Sequence, residues 1–247
     1  AIQATTRTAT NIGSIKTLAA AGAIEQLTKA CNADTGNDKS AAEGIAQMTK
    51  IALEEFDQAG NELIIQIMEA NADCNQLEGL QNCVTVLSTT DKGRDALTAL
   101  VSKSSANKNA KVQAVVALSN RKLAGNTVEL NVASKAEVNS LMAAAAAAPG
   151  TKGVVVMSCV NIGSASTARQ MTDNGAIEML KMGLAQKEIG DGVEDAAAGG
   201  KAAVETLKKL ISSSKKNNKT EGQTEAELKA DQIAVGNKLR DLKIAAS

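Results

Sequence analysis

The residues that could do chemistry are few, and their spacing decides what they can do. The chain has no His, so Ser-His-Asp and Cys-His nucleophilic sites and His-containing zinc sites are excluded. Cys31, Cys74, Cys83 and Cys159 are scattered without a CxxC pair and sit in or beside apolar stretches, which reads as reduced core thiols rather than a metal site. Gly199-Gly200-Lys201 has the end of a phosphate loop, but Asp195 stands where the leading glycine belongs and Ala202 replaces the magnesium-binding hydroxyl. Asn32, Asp34 and Glu43 occupy calcium-loop positions, yet Gly36 and Asn37 remove a ligand and the turn glycine, leaving a polar inter-helix loop. Asn218-Lys219-Thr220 is a chance sequon in a reducing setting. No catalytic group, metal or cofactor is therefore expected. What remains is recognition chemistry: Asn11, Asn120 and Asn161 each offer a donor and an acceptor on one carboxamide, with Arg121, Lys122 and Arg169 nearby.

Positioning such groups falls to helices. The chain has 247 residues with no Trp or Tyr, one Phe (Phe56) and one Pro (Pro149). Its core must be filled by Leu, Ile, Val, Met and Ala, small side chains suited to close helix-on-helix packing. Lys+Arg and Asp+Glu are both 27, so neither a basic excess nor stacking rings support nucleic-acid binding. No apolar run is long enough to insert in a membrane, and Ala143 to Ala148 is too short and too weakly apolar. That alanine block, stopped by Pro149-Gly150, predicts a tightly packed helix with a hard end. Met157, Met171, Met179 and Met182 are expected to fill core.

Internal repetition organises the rest. Asn11-Ile12-Gly13-Ser14 followed by Gly22-Ala23-Ile24-Glu25-Gln26-Leu27 recurs as Asn161-Ile162-Gly163-Ser164 followed by Gly175-Ala176-Ile177-Glu178-Met179-Leu180. Gly60 would begin another unit, so the period is about 40 residues, each unit a helix, a glycine turn and a helix. Ile24, Leu27 and Cys31, and likewise Ile177, Leu180 and Leu184, form apolar stripes after the glycine. The stretches Thr10 to Leu27, Val112 to Asn120 and Val156 to Leu184 resemble the armadillo repeat family. Ala46 to Ile67 and Asn82 to Val101 fit less well, with Thr49, Lys50 and Thr89 where the Asn would fall, and a truncated turn is expected near Asp91 to Arg94.

The resemblance implies an all-α, right-handed solenoid of about five to six repeats. It would span residues 1–212, followed by a polar linker over 213–224 and a C-terminal helix over 225–247 carrying Leu228, Val235, Leu239 and Leu242. Gln186 to Gly200 reads as a loop insertion. The first repeat is incomplete, so its apolar face would need cover from a partner or from upstream residues. In such proteins an Asn on each third helix grips the main chain of an extended peptide. That implies a groove with Asn11, Asn120 and Asn161, while Arg121 and Arg169 would serve acidic partners or lie on solvated helix ends. Without Trp, an import-receptor role is disfavoured. The expected function is a non-enzymatic protein-binding scaffold or structural subunit of a larger eukaryotic assembly, cytoplasmic and cytoskeletal or ciliary. The alternative is a free cytosolic adaptor for an extended peptide.

Overall fold

The computed structural model describes residues 9–32, 38–54, 58–71, 87–103, 105–132, 134–185 and 193–245. Cys74, Cys83, Phe56 and the stretch around Asp34 lie outside them, as do residues 1–8, next to the expected half-repeat. Twelve helices account for the described residues: α1 (Ile12–Ala20), α2 (Ala23–Asn32), α3 (Asp38–Glu54), α4 (Gln58–Asn71), α5 (Asp91–Ser102), α6 (Lys108–Leu123), α7 (Lys135–Ala147), α8 (Lys152–Met157), α9 (Ala165–Asp173), α10 (Ala176–Leu184), α11 (Val193–Ser214) and α12 (Glu225–Ala245). The protein is thus all-α. Among the described residues the extended pairing is a single parallel bridge between Leu130 and Val160. No helix there is long and apolar enough to cross a membrane.

The chain forms two compact units, Ala1–Leu100 with Ser105–Leu118, and Val101–Ser104 with Ser119–Ser247. Within the first, α1 packs on α2 and α3, α2 on α3 and α4, and α3 on α4. Ile15, Ile24, Leu27, Ile45, Met48, Ile64, Ile67 and Met68 are buried there. These are aliphatic and thioether side chains throughout, as a chain with a single aromatic residue requires. Within the second unit, α7 packs on α8 and α9, α11 on α8, α9 and α10, and α12 on α9, α10 and α11. Met157, Met171 and Met179 are buried in its core, and Leu228, Val235, Leu239 and Leu242 form the buried stripe of α12.

Local chemistry explains where the helices begin and end. Asn11 caps α1, its Oδ1 accepting from Ser14 N at 2.9 Å while Ser14 Oγ accepts from Asn11 N at 3.1 Å. Ser164 caps α9, accepting from Thr167 N at 3.2 Å. Both nine-residue helices end at a glycine with positive φ, Gly22 at 79° and Gly175 at 95°, where a side chain would be strained. Helix α7 stops before Pro149, with Ala144 and Ala145 buried, as the alanine block predicts.

Several expectations are corrected. Gly60 is not a turn: it lies inside α4, whose helical run starts at Gln58. Asp91 to Arg94 is the first turn of α5, held by Thr90 Oγ1, which accepts from Gly93 N at 3.0 Å, rather than a truncated connection. Much of the expected Gln186 to Gly200 loop is helix, because α11 starts at Val193. Its glycine run serves close approach: a Cβ on Gly199 would sit 2.5 Å from Thr151 Cβ.

Candidate functional site

In the second unit, a cavity of about 650 Å³ is bounded by the end of α6, the extended stretch after it, the end of α8 and the last turns of α11. Lys122 contributes from α6. Its Nζ donates to Ser158 Oγ and pairs with Glu205 Oε2 at 3.3 Å. Lys209 Nζ donates to the Ser158 carbonyl and pairs with Glu205 Oε1 at 3.3 Å. Glu205 thus spans two ammonium groups. Burial alone would raise its pKa, but Lys122 and Lys209 outweigh that and hold the carboxyl below its ordinary value.

Ser158 invites comparison with a serine–lysine nucleophile, and the geometry speaks against it. The side chain is fully buried, and its hydroxyl proton goes to the Val155 carbonyl at 2.7 Å. Lys122 Nζ, meanwhile, donates to Ser158 Oγ and is paired with the Glu205 carboxylate. The group works as a tie between α6, α8 and α11. Burial pushes the neighbouring Cys159 thiol up, with Lys122 and Lys209 offsetting part of that. The thiolate that would react is thereby disfavoured.

The far wall is the stretch from Asn126 to Glu129. Residues 126–129 are outside any helix and lead into the bridge at Leu130, with Val128 and Leu130 buried and Thr127 and Glu129 exposed, an alternation of period two. Leu130 N donates to the Cys159 carbonyl at 3.1 Å, and Asn161 N donates to the Leu130 carbonyl at 3.0 Å. Thr127, Val128 and Glu129 make no main-chain hydrogen bond among the described residues, and they line the cavity. Ser213 Oγ donates to the Ile162 carbonyl at 2.6 Å, fixing α11 against this wall.

The sequence-derived groove residues have different local settings. Asn11, in the first unit, is an N-cap with its side chain spent on Ser14. Asn120 is on α6 and exposed, its Oδ1 accepting from Lys152 Nζ at 3.0 Å. Asn161 is not helical; it follows the bridge and donates from Nδ2 to Asn131 Oδ1 at 3.3 Å, at the rim of the cavity. The helical counterpart of Asn11 is Ser164, three residues further on, because an N-cap oxygen is what the start of α9 requires. Arg121 is no solvated helix end: it is 5% exposed. Arg169 is committed internally, its Nη1 to Asp231 at 3.0 Å and its Nε to Asp173 at 3.4 Å, with Asp231 the main reason its pKa is raised. Neither arginine lines the cavity.

Of the lysines that line it, Lys122 is among the charges the sequence analysis names, whereas Lys208, Lys209 and Lys216 are not. Their signal was present: Glu205, Lys209 and Ser213 recur every four residues, and so do Lys208, Ser212 and Lys216, two neighbouring rows on one helical face.

No family model matches this chain, and no curated protein matches it. Among solved structures, the crystal structure of an engineered protein is similar over 86% of this chain and 89% of that chain, at 18% identity and a TM-score of 0.43.

Proposed function

We propose that this chain is a non-enzymatic protein-interaction module of armadillo-like helical repeats, and that the second unit's cavity receives an extended peptide from a partner. One observation carries the reading: residues 127–129, which make no main-chain hydrogen bond among the described residues, line a polar cavity of about 650 Å³. An incoming extended chain supplies the missing hydrogen bonds, the chemistry of strand addition. Asn161 stands at the rim with its Oδ1 still able to accept. The repetition of a capped nine-residue helix, a left-handed glycine and a second helix supports the repeat architecture. A scaffold role in a larger assembly is part of the same proposal, and its cytoskeletal or ciliary setting rests on the family resemblance alone.

The test is selection from a random twelve-residue peptide display library on the immobilised chain, beside Thr127→Pro and Ser212→Trp variants checked for helicity by circular dichroism. Enriched linear peptides that lose binding to both folded variants are expected. A selection with no enriched peptide, or peptides indifferent to both variants, would overturn the reading.

A further inference from the structure

The lysines at the cavity differ in what they already hold. Lys122 and Lys209 are committed to Glu205 and Ser158. Lys208 and Lys216 line the same cavity, are exposed, and have no side-chain partner among the described residues. Four lysines face two carboxylates there, Glu129 and Glu205, so the wall has a positive excess that the protein does not itself neutralise.

Spacing gives that charge a pattern. Lys208 lies on α11 and Lys216 eight residues on, just past its end at Ser214, where the chain winds through two tighter turns, with Lys215 N and Lys216 N donating to the Ser212 and Ser213 carbonyls at 3.2 Å. Six steps at about 1.5 Å rise and two tighter ones at about 2.0 Å set the two lysines about 13 Å apart along the axis. An extended chain advances about 3.3 Å per residue and returns to the same face every second residue, so positions four apart are about 13 Å apart on one face. Resting on the peptide-binding reading above, we infer that the cavity selects an extended segment with two acidic side chains four residues apart, one for Lys208 and one for Lys216.

Fluorescence anisotropy on the intact chain tests this with three labelled dodecapeptides of Thr, Ser and Val. One has Glu at positions 4 and 8, one has Glu at 4 and 5, and one has Gln at 4 and 8. At low salt the first binds about ten-fold tighter than the Gln peptide, the yield of two exposed ion pairs of ordinary strength, and exceeds the 4/5 peptide as well. Lys208→Gln with Lys216→Gln removes the difference, whereas Lys201→Gln with Lys229→Gln, on exposed positions outside the cavity, leaves it. Equal binding of all three peptides, or a preference that survives the Lys208/Lys216 variant, overturns the spacing rule and leaves peptide binding standing. Binding of none of them, together with an empty library selection, overturns both.

Discussion

Arg169 on α9 and Asp231 on α12 meet at 3.0 Å although they are 62 positions apart in the chain, and the same guanidinium reaches Asp173 on its own helix. Lys238 donates to Asp173, so four charged side chains fasten α12 to α9, and Asp231 also accepts from Gln223 Nε2 at 2.7 Å just ahead of α12.

Removing the centre of that cluster should loosen α12. Asp231→Ala is expected to cost on the order of 1 kcal/mol, since Asp231 is the least exposed member and leaves Arg169 with its weaker partner. Urea unfolding gives the magnitude. Limited proteolysis should show faster cutting within 215–224, ahead of α12, and an unchanged cutting rate would refute the latch role.

Acid should act on the same pairs. Burial by itself would raise both Asp173 and Glu205, but Lys238 and Arg169 lower Asp173 from 3.8, and Lys122 and Lys209 lower Glu205 from 4.5. A carboxylate depressed in the folded state stabilises it fully above its ordinary value and loses that contribution as pH falls through the depressed one. Stability should therefore decline below about pH 4.5. Asp173→Asn with Glu205→Gln should lower stability at neutral pH and flatten the acid limb, as followed by circular dichroism against pH.

The turn between paired helices is equally open to test. Gly175→Ala places a side chain at φ 95° and should destabilise by about 1 kcal/mol, with Gly175→Asn milder because Asn tolerates the left-handed region. Ser164→Ala removes the cap on Thr167 N and should cost about 1 kcal/mol. Thermal melts of the three variants give the order; a neutral Gly175→Ala would contradict the turn.

Close packing of α11 gives a further outcome. Gly199→Ala sets a methyl 2.5 Å from Thr151 Cβ and should cost about 1–3 kcal/mol. Thr151→Gly in the same chain should recover part of it, and a double-mutant cycle in urea measures the coupling. Additive losses would mean the two residues do not touch.

The helical architecture was legible because period and punctuation agree. Ile24, Leu27 and Cys31 mark a buried face, and Gly22 and Gly175 mark turns that need a left-handed residue. Register was less so. Asn-Ile-Gly-Ser looks the same at Asn11 and Asn161, yet the first copy starts a helix at its Asn and the second at its Ser, because Asn and Ser are both good caps and Asn161 is drawn into the bridge beside Leu130. Glycines misled in α11, where they answer to a neighbouring side chain that is distant in sequence. The cavity was hidden for the same reason: Lys122, Ser158 and Glu205 meet only after three helices pack.

The bridge between Leu130 and Val160 has a kinetic side. Its two hydrogen bonds close a loop of about thirty residues that contains α7 and α8 complete, so if those helices dock first, closure is expected to cost little beyond what their packing has already ordered. The amide protons of Leu130 and Asn161 are then expected to be the slow clock of this region: their exchange with deuterium should report the opening of the whole loop, with Thr127 to Glu129 exchanging faster.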